Sequence, residues 1–161
     1  MYLLDANIFM AAARTYYSFD LAPSFWTWLE AQHQNGVFFS IDAVRQEINQ
    51  GNDRLAQWAA SQIPTTFWLQ PGEKTSANVA ELINWAFDAS QQFTQDAKDE
   101  FADSADLMLI AQAKDYGAQI LTHEVSNPQS KKRILLPDAA RILGVRCPSP
   151  WEVFSAVGLR L

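Results

Sequence analysis

Met1-Tyr2-Leu3-Leu4-Asp5-Ala6-Asn7 opens the chain. Four apolar residues run into a carboxylate, the pattern of a short buried strand whose carboxyl end reaches solvent. Asn7 then suits the N-cap of a helix over residues 8–13. Outward from this segment, Ser24 predicts the start of a helix over 24–35, which Gly36 would end. Val37-Phe38-Phe39-Ser40 reads as a second strand. Ile41, Val44 and Ile48 share one helical stripe ending near Gly51, and a further helix is expected over 53–61. Pro64 interrupts, Phe67-Trp68-Leu69 is an edge strand or a loop, and Pro71-Gly72 is a turn. A longer helix is expected over 76–93, a charged connection over 96–100, and a strongly patterned helix over 103–116, closed by Gly117. A third strand follows over 118–122, then a polar loop over 124–133. Leu135-Leu136 reads as a short final strand, Pro137-Asp138 as the start of a helix to Leu143, and Pro148-Ser149-Pro150 as the lead into a C-terminal helix. Strands alternating with helices predict an α/β fold: a three-layer α/β/α sandwich around a mostly parallel sheet, in one domain over 1–161.

Composition narrows the function. The 161 residues suit one domain able to bury its own core. Hydrophobic residues at 48% and charged residues at 19% exclude a disordered chain. A net charge of −6 argues against a protein that coats nucleic acid, which needs many cations. It permits an enzyme that gathers carboxylates in one cleft. The single cysteine, Cys147, excludes an intrachain disulfide and a Cys-rich zinc site, and a reducing cytoplasm is the expected setting. The opening residues lack the basic region of a signal peptide. No apolar run approaches the roughly 20 residues of a membrane span, so no membrane partner is expected.

In open parallel sheets, sites lie beyond the carboxyl ends of the strands. Four acids fall there: Asp5 after the first strand, Glu47 on the helix after the second, Asp106 in the first turn of the helix before the third, and Glu124 just past that strand. Each also has a local reading. Asp5 could serve a turn, Glu47 could be a solvated helix residue, and Glu124 could be a loop acid. Asp103 and Asp106 could form a capping box with Asp103 as the cap. Taken together the four converge on one sheet edge, where clustered carboxylates disfavour one another's charge. A hard divalent cation relieves that repulsion, and such ions activate water for phosphodiester cleavage.

These residues resemble the PIN-domain family. The resemblance rests on Tyr2-Leu3-Leu4-Asp5-Ala6-Asn7-Ile8-Phe9, the helix from Ala105 through Asp106 to Ala113, the strand Ile120-Leu121-Thr122, and Glu47 by position. It spans roughly residues 1–145. It implies a PIN-like three-layer fold and a Mg²⁺- or Mn²⁺-dependent endoribonuclease acting on RNA. Many bacterial members are VapC-type toxins neutralised by an antitoxin protein, so the resemblance implies an antitoxin partner. Asp5, Glu47 and Asp106 match the family's three core acids. At the fourth position most members place Asp or Asn two residues after the Thr. Here Thr122-His123-Glu124 stands, which resembles a PIN-like bacterial subgroup with Thr-His-Glu, and Glu124 is the expected fourth catalytic and metal-binding acid.

Other residues have both supporting and structural readings. Asn7 could position Asp5, and Thr122 could hydrogen-bond a carboxylate at the strand end. His123 should point away from Thr122 by strand alternation. Asp138 starts a helix, and His33 reads as surface. Lys131-Lys132-Arg133 is the densest basic run and could hold an RNA backbone near the acids. Trp26 and Trp28, two apart on a helix, cannot both face one core, so one is expected to be exposed or to cover a partner. A non-catalytic PIN-like module that binds a protein, or a homo-oligomer using such a surface, remains an alternative. A phosphatase would need a second Asp two residues after Asp5, where Asn7 stands.

Overall fold

The computed structural model describes residues 1–160; Leu161, the last residue of the expected domain, lies outside the described residues. The strands are β1 (Tyr2–Leu4), β2 (Phe38–Ile41), β3 (Trp68–Leu69) and β4 (Gln119–Leu121). They form one parallel sheet in the order β3-β2-β1-β4. Tyr2 lies opposite Phe38 on one side and Gln119 on the other. The helices are α1 (Ala6–Ala11), α2 (Pro23–Gln34), α3 (Asp42–Asn49), α4 (Arg54–Ser61), α5 (Thr75–Phe87), α6 (Gln95–Asp103), α7 (Ala105–Tyr116), α8 (Leu136–Ile142) and α9 (Pro150–Ala156). They flank the sheet, giving the expected three-layer α/β/α sandwich.

A parallel sheet needs both faces covered. Successive strand residues point to opposite faces, and Leu3, Leu4, Ile120 and Leu121 are all fully buried. That two-sided burial explains why the strands read as unbroken apolar runs. The helix α7 packs on β1, β2 and β4 and against α3, α5 and α8. The helix α2 packs on β2. There Trp28 meets Phe38 at 5.3 Å and Phe154 of α9 at 5.4 Å between ring centres. Trp26 is 3% exposed and stacks on Phe19 at 4.0 Å. The expectation that one of the two tryptophans is exposed is therefore corrected: α9 supplies a second apolar surface for Trp28.

Several local expectations shift. Residues 96–100 are not a connection but part of α6. Thr94 caps that helix by accepting from Ala97 N at 3.2 Å, and Ala97 and Phe101, four apart, bury one face. Helix α5 stops at Phe87, because Asp88 leaves the helical conformation and its carboxylate accepts from Ser90 N at 2.8 Å. Leu135-Leu136 form no strand: Leu136 starts α8, with Pro137 in the first turn where a missing N–H costs nothing. Pro23 likewise opens α2, so Ser24 is not its cap. Ser104 caps α7, and Gly117 closes it in the left-handed region at φ 66°. His33 is buried, not surface: its ring bonds Phe38 O at 3.2 Å and Thr66 Oγ1 at 3.0 Å.

Candidate functional site

The chain builds β1, β2 and β3 outward in one direction, then returns to place β4 on the other side of β1. That reversal opens a crevice at the carboxyl ends of β1 and β4, where open α/β sheets place their sites. Asp5 extends the pairing past β1, since its N–H donates to Leu121 O at 3.0 Å. Its carboxylate therefore sits at the mouth of the crevice, 5% exposed as a residue. A pocket of about 770 Å³ opens there, lined by Asp5, Glu47, Asp106, Glu124, Asn7 and Arg133 among others. The four acids expected from the sequence share it.

Thr122 holds Asp5. Its hydroxyl donates to Asp5 Oδ2 at 2.8 Å and accepts from Asn7 Nδ2 at 3.0 Å and from Glu124 N at 3.0 Å. A hydroxyl has one proton and two lone pairs, so these bonds saturate it and leave its proton only Asp5. Asn7 is oriented in turn by His123 N, which donates to its Oδ1 at 3.0 Å. Asn7 thus lies inside α1 as a positioning group rather than at its N-cap, which Asp5 occupies.

Asp106 is the second residue of α7. Ser104, not Asp103, accepts from Leu107 N at 3.4 Å, and that leaves the Asp106 carboxylate free of capping and facing the pocket. Asp103 ends α6 at the exposed rim. Glu47 stands three residues past the buried Val44 on α3 and keeps more solvent. Electrostatics couple these groups. Burial pushes Asp106 up to about 8; the charges of Asp5, Glu124 and Glu47 add to this, and Arg133 opposes it. Asp5 rises to about 6 through burial, against the Thr122 hydrogen bond that lowers it and with Glu124 and Glu47 adding to the rise. Burial also raises Glu47.

Glu124 reaches the pocket with both carboxylate oxygens engaged. One pairs with Arg133, and the other accepts from Leu136 N at 2.8 Å. Of the basic run, only Arg133 lines the pocket; Lys131 and Lys132 are exposed away from it. Asp138 does not line it either: it accepts from Asn127 N at 2.9 Å and closes the loop after Glu124.

Among the described residues, no three His, Cys, Asp or Glu side chains are drawn in tightly enough to form a metal cage. The donor set is nonetheless all oxygen, which suits Mg²⁺ or Mn²⁺ over softer ions. Asp5, Glu47 and Asp106 are the oxygen donors such an ion would take, and a cation there would offset both the burial and the neighbouring charges that raise Asp106.

Comparison with known proteins adds one assignment. The family described as "Domain of unknown function (DUF4411)" matches residues 2–161. The chain belongs to that family. No curated protein and no solved structure matches this DUF4411 member.

Two features of this DUF4411 chain escape the sequence reading. The exposed Tyr16 and Trp151 group with the partly buried His123, with Tyr16–Trp151 at 5.1 Å and His123–Trp151 at 5.3 Å between ring centres. His123 lies past the end of β4 at Leu121, so strand alternation does not set its direction, and no local pattern brings residues 16 and 151 to it. Cys147 lines a second pocket that shares Glu124 as a wall. Burial there pushes its thiol up to about 12, with Asp5 and Glu124 adding to the rise, so it is held as a neutral thiol.

Proposed function

We propose that this protein is a Mg²⁺- or Mn²⁺-dependent endoribonuclease of PIN-like type. The observation that carries the reading is the convergence of Asp5, Glu47, Asp106 and Glu124 on one pocket at the sheet's switch point, with Asp106 held near 8 by burial and by the other acids. A volume of about 770 Å³ accommodates a hydrated cation and part of a nucleotide. Asp5, Glu47 and Asp106 would hold the cation. Bound there, it supplies Lewis acidity that lowers the pKa of a water and stabilises the leaving oxygen of a phosphodiester. Thr122 and Asn7 hold Asp5 in one orientation and satisfy it with a hydrogen bond. Met10 and Met108 supply apolar wall. The resemblance to the PIN family extends the reading to a cytoplasmic toxin neutralised by an antitoxin protein. No described helix is long and apolar enough to cross a membrane.

The test is cleavage of a single-stranded RNA with Mn²⁺ or Mg²⁺, comparing the native chain with Asp5→Asn and Asp106→Asn. Cleavage lost in both variants and in excess EDTA is expected; full cleavage in either condition sinks the reading. The exposed pair Tyr16 and Trp151 favours a second reading, a non-catalytic module that grips a protein through aromatic side chains. Calorimetry with millimolar Mn²⁺ separates the two, since only the first requires metal binding.

A further inference from the structure

The basic run divides in the folded chain. The backbone carbonyl of Lys131 accepts from Thr94 N at 2.9 Å and ties the loop to the start of α6, while the exposed side chains of Lys131 and Lys132 do not line the pocket. Arg133 alone enters the acidic pocket, and no other Lys or Arg lines it among the described residues. Its partner, Glu124, is fixed from two sides. Glu124 N donates to Thr122 Oγ1 at 3.0 Å, and the carboxylate accepts from Leu136 N at 2.8 Å. The Glu124 side chain is 12% exposed and the Arg133 side chain 55% exposed. A carboxylate anchored on one backbone amide, on a residue whose own N–H is tied to Thr122, thus holds a half-exposed guanidinium at the pocket mouth. A guanidinium has five N–H donors in a planar fork, so one edge can take the carboxylate while the other takes an anion.

That arrangement answers a difficulty in the chemistry. A phosphodiester approaching Asp5, Glu47 and Asp106 meets negative charge, and among the described side chains lining the pocket only Arg133 carries a cation toward it. We propose that Arg133 is the phosphate-binding residue of this pocket and that Glu124 is a positioning residue that aims it, rather than a metal ligand. The proposal rests on the nuclease reading for the identity of the anion, a phosphodiester oxygen of single-stranded RNA. It assigns the Thr-His-Glu segment a role, since Glu124 spans from Arg133 to Leu136 N.

The test uses the full chain and two readouts. Mn²⁺ binding is measured by calorimetry, and binding of a fluorescein-labelled single-stranded RNA is measured by anisotropy in Ca²⁺ over a range of salt. Arg133→Ala is expected to bind Mn²⁺ at least as tightly as the native chain and RNA about tenfold more weakly. The slope of log affinity against log salt should fall by about 0.7, the value for one phosphate contact on a single strand. Arg133→Lys should recover the slope but only part of the affinity, because an ammonium lacks the fork. Glu124→Gln keeps an oxygen for Leu136 N, so its fold is protected. It should bind Mn²⁺ within about threefold of the native chain and lose RNA affinity in the direction of Arg133→Ala. Loss of Mn²⁺ binding in Glu124→Gln overturns the proposal, as does unchanged RNA affinity in Arg133→Ala, or no RNA binding by the native chain. A native chain that binds RNA through Arg133 but no Mn²⁺ overturns the nuclease reading alone.

Discussion

Replacing Asp106 by Asn should make the metal-free protein more stable, and by an amount that grows with pH. Asp106 has its carboxyl raised from 3.8 to about 8, by burial first and then by the charges of Asp5, Glu124 and Glu47. Between those two values the folded chain holds a proton that the unfolded chain has released. Stability therefore falls as pH rises through this window, by about 1.4 kcal/mol per pH unit from this group. At pH 7 the accumulated loss is about 4 kcal/mol, and at pH 5 about 1.5 kcal/mol. Asparagine is neutral in both states and escapes the loss. The Asp106→Asn chain should thus exceed the native chain by about 2–4 kcal/mol at pH 7 in EDTA, with the gap narrowing toward pH 5. Burial lowers His123 and gives the opposite trend, stability lost as pH falls through its range, but both chains share it and it cancels in the difference. Urea unfolding followed by tryptophan fluorescence at pH 5, 6 and 7 reads the gap directly. A gap that stays constant across that range, or a native chain more stable than the variant at pH 7, refutes the electrostatic picture of the pocket.

Three further outcomes follow from the geometry. Thr122→Val removes the donor to Asp5 at 2.8 Å and the acceptor for Asn7 Nδ2 and Glu124 N, so a loss of about 1–3 kcal/mol is expected. The same change should raise the Asp5 carboxyl further, read by NMR titration; an unmoved Asp5 would show that Thr122 does not hold it. Gly72→Ala places a Cβ 2.6 Å from Asp115 Oδ2, an atom already held by Lys74 N at 3.0 Å and Thr75 Oγ1 at 2.7 Å. Thermal unfolding should reveal a cost of about 1–3 kcal/mol, and an unchanged Tm counts against the contact. Phe9→Ala empties a site ringed by Trp58 at 5.9 Å and by Phe67 and Trp68 at 6.0 Å, and chemical unfolding should show a loss of about 3–5 kcal/mol.

The sheet was legible because its strands are buried on both faces, which writes them as apolar runs such as Leu3-Leu4 and Ile120-Leu121. That the four acids share one pocket was partly legible: Asp5 and Glu124 stand just beyond strand ends, where the switch-point rule looks, while Glu47 and Asp106 are brought to them by the packing of α3 and α7. Helix α6 was hidden by its composition: Asp96, Lys98, Asp99 and Glu100 mask a face carried by Ala97 and Phe101 alone. His33 misled because its partners, Phe38 O and Thr66, are set by tertiary packing rather than by neighbours in sequence. Asp103, Ser104 and Asp106 offered two capping schemes of similar appearance, and only the helix start selects Ser104. Nothing local distinguishes Arg133 from Lys131 and Lys132; the anchored Glu124 makes that choice in three dimensions.

The Thr122 hydroxyl joins residues 117 and 115 positions away in the chain, at Asp5 and Asn7. This has a consequence for how the protein is born. During synthesis Asp5 and Glu47 emerge early, yet β1 keeps one edge unpaired until β4 is made and slides in beside it. Until then the growing chain carries an open strand edge, a liability for mispairing with its neighbours on the same message. It also carries no assembled pocket, since Asp106, Thr122, Glu124 and Arg133 are translated long after Asp5 and Glu47. Whatever chemistry the pocket performs is therefore timed by the ribosome: it waits until the segment from Asp5 through Arg133 has emerged and folded.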